Sequence, residues 1–289
     1  MLLSLAFPIP YTAGALMLAT GLRLFRPSAT GVASLILGFA LGCMLTREEV
    51  SLPALLLVSL LLILVHQYAG MQSHPRIRSA ITAATLFVSF ALAIHIVPGF
   101  DNPVLAGPLR VSPDSVPFTL YASLDKGLAA FALLSLMTPQ VAGVAPASYS
   151  PVRTILLAAA GIAVLLSLAT CLQLIRWEPK LPEFLPAFVA VNLLITCIAE
   201  ETFFRGVIQE KLQQRWRSAS GQWLAILIAA LLFGLAHAAG GPAYVLIATL
   251  AGALYGYVYR RSRSLPLAVV CHASLNLTHL ILFSYPKLV

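Results

Sequence analysis

Apolar runs alternate along this chain with short breaks carrying Arg, Lys, Pro or Gly. Read against those breaks, the runs place spans near residues 3–22, 31–46, 51–70, 79–97, 124–141, 153–175, 184–208, 221–238, 243–259 and 265–284. About twenty apolar residues in a helix cross a hydrocarbon core of about 30 Å. Only a helix or a closed barrel satisfies every backbone polar group there. The pattern therefore predicts an all-α fold, a polytopic integral membrane bundle of about ten transmembrane helices. Several runs are short or interrupted by Gly, so the expected count is eight to ten.

Composition agrees. Sixty per cent of the residues are apolar and only 10% are charged, where a soluble domain carries charge on about a quarter of its positions, and the mean hydropathy is +0.91. The net charge of +8 is accounted for by orientation. Arg23 and Arg26, Arg76 and Arg78, Arg153, then Lys211, Arg215 and Arg217, and finally Arg260, Arg261 and Arg263 fall in alternate loops. Positive loops stay cytoplasmic, which puts both termini outside and leaves lipid, rather than nucleic acid, as the partner of the basic residues; no basic patch is interleaved with aromatics. The first span has no basic flank and no small-residue cleavage site, so it is read as a retained helix. Cys43, Cys171, Cys197 and Cys271 lie in or at the ends of apolar runs without CxxC spacing and are read as small buried hydrophobes.

One break is long. Residues 98–127, "PGFDNPVLAGPLRVSPDSVPFTLYASLDKG", are rich in Pro, Gly and Asp and fall on the expected outer side, where they are read as an ordered interfacial connector. The loop near 98–123 divides the spans, and the sequence is read as an N-terminal transmembrane region of about five spans over 1–150 and a second domain over 151–289.

The chemistry begins at "CIAEETFFRGVIQEKLQQRW", residues 197–216, where Glu200 and Glu201 follow sixteen uncharged residues. A carboxylate inside a membrane is costly unless protonated, paired or facing water, and is a functional candidate by default. On an α-helix, positions i and i+4 share a face while i and i+1 diverge by about 100°. Glu201 is thus expected to meet Arg205, whereas Glu200 turns to a face with no local cation. Glu48 and Glu49, after Arg47 in a short outer loop, serve as a contrast and are read as solvated.

Two more groups join the carboxylates. In "LLFGLAHAAGG", His237 ends an apolar helix that starts after the polar turn "SASG" at 218–221, and Phe233 lies four residues before it on the same face. Glu200 and His237 are nearly symmetric about that turn, at the same height in an antiparallel hairpin. In "AVVCHASLNLTHL", His272 and Asn276 are spaced i, i+4 on the last span, with His279 beyond them. Buried polar groups must find hydrogen-bond partners away from water, and their concentration in three of the last four spans argues against mere packing. His66 and His95 sit near span ends without such company and are read as packing residues.

The segments "EETFFR", "FGLAH" and "HASLN" resemble the motifs EExxxR, FxxxH and HxxxN of the CPBP family, the CAAX-protease and bacteriocin-processing, Rce1-like intramembrane endopeptidases, and the resemblance covers about residues 153–285. It implies that Glu200 and His237 activate a water molecule, that His272 and Asn276 stabilise the oxyanion, and that Glu201, Arg205 and Phe233 support them. It also implies a membrane-associated protein or peptide substrate, of CAAX type or another C-terminal tail, and a multi-pass protein of the plasma membrane of a bacterium. A metal-independent site is favoured, because HExxH is missing. Zn²⁺ on Glu200, His237 and His272 with one open position stays an alternative. A proton- or ion-coupled carrier and a non-catalytic immunity or partner protein on the same fold are the rival readings. The carrier lacks the internal repeat and matched broken helices of many transporters.

Overall fold

The computed structural model describes residues 9–137 and 149–289. Ten runs expected to be helical contain helix, with small shifts at their ends. They are α1 (Tyr11–Phe25), α2 (Thr30–Thr46), α3 (Leu52–Gln67), α4 (Pro75–Ala93), α5 (Leu124–Leu136), α6 (Pro151–Cys171), the composite stretch Leu185–Arg215, α10 (Ala219–Ala236), α11 (Pro242–Ser262) and α12 (Leu265–Leu282). The composite stretch consists of α7 (Leu185–Val191), a π-helical turn, α8 (Ile198–Glu201), a second π-helical turn and α9 (Glu210–Arg215). Expected helix over 3–8 and 138–141 lies outside the described residues. Among the described residues, seven helices are long and apolar enough to cross a membrane, and α3 is apolar but shorter. The chain is a polytopic helical membrane protein.

Serine starts many of these helices. Ser51, Ser150, Ser218 and Ser264 each accept a hydrogen bond from the backbone N–H three residues on, at the heads of α3, α6, α10 and α12. Such caps are worth about 1 kcal/mol each. In three of them Pro follows within two residues, where its missing N–H costs nothing.

Burial runs opposite to a soluble bundle. In α2 the buried residues are Ala33, Leu37, Ala40 and Met44, and in α3 they are Ala54, Val58, Leu61 and Val65. Both are narrow stripes with a period of about 3.5, the seam of left-handed helix packing. Leu35, Phe39, Leu56 and Ile63 on the other faces are exposed, as lipid contact requires.

The described residues form two compact units, interleaved along the chain. The first comprises the described residues 9–106, 120–137 and 186–203. Its centre is α5, buried along nearly its whole length and packed against α1, α3, α4 and α8. The π-helical turn Asn192–Cys197 disturbs the backbone ladder of the composite stretch. Thr20 Oγ1 donates to the Leu194 carbonyl inside that turn at 2.7 Å.

The second unit comprises the described residues 107–119, 149–185 and 204–289, and α11 is its centre, packed against α6, α10 and α12. Close approach rests on Gly252 and Gly256, a small-xxx-small pair. A Cβ on Gly252 would lie 3.1 Å from the Ala230 Cα, and one on Gly256 2.7 Å from Gln209 Oε1. The bare backbone also exposes two carbonyls, which accept from Arg205 Nη2 at 2.8 Å and Gln209 Nε2 at 3.0 Å. At the other end of α11, Glu210 accepts from Arg263 at 2.7 Å and from the Tyr259 hydroxyl at 3.0 Å. Glu210→Ala removes the acceptor of a buried pair, and unfolding in detergent should show a loss of about 3 kcal/mol or more. A loss under about 1 kcal/mol, the range of an exposed pair, would contradict that role.

Three sequence readings need correction. The loop is ordered, as expected, but includes a two-stranded β-hairpin, β1 (Val104–Leu109) and β2 (Phe118–Tyr121); strand pairing is available to a polar connector with alternating apolar positions. Glu49 is buried and ion-paired to Arg47 at 2.8 Å, not solvated, because the loop folds back and Glu49 O accepts from Asp101 N at 3.0 Å. Of the cysteines, Cys197 and Cys271 are buried, whereas Cys171 is exposed at the end of α6, since a residue on a lipid-facing stripe is apolar without being enclosed.

Candidate functional site

The polar residues of the second and third motifs come together in the second unit. Phe233, buried on α10, is the hub. Its ring lies 4.6 Å from that of His237, 5.6 Å edge-on from that of His272, 5.2 Å from Phe204 and 6.0 Å from Tyr255. The Arg205 guanidinium, fully buried, stacks over Phe233 at 4.7 Å and Tyr255 at 5.2 Å while donating to Gly252 O. Cation–π attraction is strengthened by such desolvation, so Arg205 and Phe233 hold each other in place.

His237 is the first residue past the end of α10. Its Nδ1 lies 2.8 Å from the Phe233 carbonyl oxygen. A carbonyl only accepts, so Nδ1 carries the proton and, in the neutral ring, Nε2 is left with a lone pair. The i, i+4 spacing read from the sequence thus does more than stack two rings, because it fixes a tautomer.

His272, 4% exposed, stacks on Tyr255 at 4.5 Å with 17° between the planes. One turn on, Asn276 lines the same cavity as His237 and His272. This cavity has about 650 Å³ of free space, its open mouth included. Leu165, Leu166 and Ala169 of α6 and Ile247 of α11 contribute apolar side chains to its lining. His279 also lines it, with Nε2 on the Ser284 carbonyl at 3.1 Å. Of the expected site residues, Phe233, His237, His272 and Asn276 line this one cavity.

Glu200 and Glu201 lie on α8 in the first unit. Glu201 is fully buried, and Glu200 is largely so. Their helix is not the plain α-helix assumed from the sequence: the π-helical turns Asn192–Cys197 and Thr202–Gln209 flank them. Turns of this kind are rare and gather at functional sites. Glu200 does have a cation, Lys126 Nζ at 3.4 Å, with both side chains 16% exposed. It comes from the first turn of α5, seventy-four residues away, so helical spacing could not reveal it. The neighbouring Asp125 is buried and hydrogen-bonded with His95 Nδ1 at 2.6 Å. His95 therefore has the polar partner that the sequence reading denied it, because the connector brings the end of α4 to the start of α5. The sequence reading also missed Tyr255, which no motif marks.

Among the described residues no three His, Cys, Asp or Glu side chains gather as a metal-binding group. No step below runs through a metal.

Residues 182–278 match the family model described as "Type II CAAX prenyl endopeptidase Rce1-like". That segment is about a third of the chain and holds all three motifs, in line with the resemblance read from them. No curated protein and no solved structure matches the chain.

Proposed function

We propose that the Rce1-like segment makes this chain an intramembrane endopeptidase, which hydrolyses a peptide bond in the C-terminal tail of a membrane-associated protein or peptide. The observation that carries the reading is the cavity of the second unit, where His237, His272 and Asn276 interrupt an otherwise largely apolar lining. An apolar pocket with a few convergent polar groups suits a lipid-embedded substrate.

In the proposed reaction, the Glu200 carboxylate takes a proton from a water molecule that His237 Nε2 orients by accepting its other hydrogen. The water oxygen attacks the scissile carbonyl carbon, and the oxyanion receives hydrogen bonds from a His272 ring N–H and the Asn276 amide. Collapse breaks the C–N bond, and the proton held by Glu200 passes to the leaving amine. Donors held before the reaction stabilise a developing charge without reorganising, and stacking of His272 on Tyr255 supplies that rigidity. Glu201, Arg205 and Phe233 act as positioning residues. Lys126 offsets the cost of a buried Glu200 carboxylate, which gives the region over 1–150 one task beside the domain over 151–289.

The test is cleavage of a membrane-embedded peptide by purified protein, with a strong chelator in parallel. Cleavage that survives the chelator is the expected result. Transport without cleavage supports a carrier instead, and activity abolished by the chelator and restored by metal reassigns the same residues as ligands.

We also propose that the Arg- and Lys-bearing loops face the cytoplasm of a bacterium, with both termini outside. Reporter fusions should place residue 215 inside and residue 110 outside. The reverse for both would invert the topology.

A further inference from the structure

The pocket lining includes one lysine, Lys287, to which the proposed chemistry gives no task. It lies beyond the segment 182–278 that matches the family model, so nothing in the three motifs accounts for it.

Lys287 sits on a segment fastened by its backbone from two sides. Ser284 N donates to Arg176 O at 2.8 Å and Leu288 N to Leu174 O at 2.9 Å; Lys287 O in turn accepts from Val116 N at 3.1 Å. The Tyr285 ring packs edge-on against Phe118 at 5.1 Å and against His279 at 5.0 Å. The ammonium of Lys287 is therefore delivered to the cavity by ordered backbone.

Its Nζ donates to the Gly240 carbonyl at 2.9 Å, and Gly240 N donates to His237 O at 2.9 Å. An ammonium has three donors, and among the described residues Gly240 O is the one acceptor paired with Nζ. Among the described residues no Asp or Glu lines the cavity, and the other side chains there carry no fixed charge. A half-buried cation in a largely apolar concavity with no carboxylate among its lining residues attracts an anion from the ligand.

Every tail substrate with a free end carries one such anion, the α-carboxylate at its C-terminus. We propose that Lys287 anchors this carboxylate, so that the cut is measured from a free C-terminal end. The inference rests on the protease reading and deepens it. From His237 to Gly240 the short 3₁₀ turn rises about 6 Å, the reach of about two extended residues. The scissile bond is thus placed a few residues from the end of the chain, and an internal loop of a membrane protein is a poor substrate.

The test uses the full-length protein in vesicles and one membrane-anchored peptide made in two forms, with a free C-terminal carboxylate and with a C-terminal amide. Wild type should cleave the free acid about ten- to a hundredfold better in kcat/KM, the range of one charge-assisted hydrogen bond, and mainly through KM. Lys287→Met should lose this difference, and Lys287→Arg should keep most of it. Equal cleavage of acid and amide by wild type overturns the anchor, and this comparison needs no variant to fold. A Lys287→Met enzyme that still prefers the acid also overturns it, as does one that loses both substrates in proportion and depends on anionic lipid, which would assign the ammonium to a headgroup phosphate. Cleavage of neither peptide by wild type overturns the protease reading and the anchor together, whereas cleavage of both without preference overturns the anchor alone.

Discussion

Glu200→Gln is expected to cleave a membrane-embedded peptide about 10²- to 10⁴-fold more slowly than wild type, the loss that goes with removing the proposed general base, and to remain folded. Gln keeps the length of the side chain and an oxygen that accepts from Lys126 Nζ, which lies 3.4 Å from the carboxylate. What it cannot do is take a proton from water. Lys126→Met is the companion variant. It keeps the carboxylate but strips its counter-charge inside the membrane, so it should lose both stability and activity, and Lys126→Arg should restore most of each. Wild-type cleavage by Glu200→Gln would remove that residue from the mechanism. An unfolded Glu200→Gln with a folded, active Lys126→Met would reverse the two roles and make Glu200 structural.

The ion pair with Lys126 marks the boundary of what the sequence could show. Apolar runs predict helices well in a membrane because backbone satisfaction, not side-chain packing, decides the secondary structure. Hence α2, α3 and α12 lie close to where their runs place them. The same uniform apolarity hides orientation: nothing in "TGVASLILGFALGCMLT" distinguishes buried Leu37 from exposed Leu35. Local spacing was informative where both partners sit on one regular helix, as with Phe233 and His237. It was silent on partners from other helices, such as Tyr255 against His272 and Lys126 against Glu200. It also assumed an α-helical phase through "EETFFRGVIQ", where the backbone makes π-helical turns, and extra residues per turn shift every side chain that follows. Glu49 and His95 show a further limit, since a residue near a span end is buried or exposed according to how the connector folds over it.

Asn276→Ala is expected to give the second large effect, and a differently shaped one. The side chain lines the cavity one turn after His272 on α12, and its proposed task is to donate to an oxygen that becomes anionic only in the transition state. Loss of one such donor costs about 10²- to 10³-fold in kcat. Because the ground-state carbonyl needs the donor far less, KM should change little. Asn276→Asp is the sharper variant, as it has nearly the same shape but places negative charge where negative charge must develop; it should be at least as slow as Asn276→Ala. His272→Ala is harder to interpret by itself, because it also empties the stack on Tyr255 and the edge contact with Phe233, so its loss includes packing. The double variant resolves this. Two donors serving one oxyanion act as a unit, and removing both should slow kcat by much less than the product of the single losses, whereas independent structural defects would multiply. A rise in KM with kcat unchanged in Asn276→Ala would instead make Asn276 a ground-state binding residue and leave the oxyanion without its proposed donor.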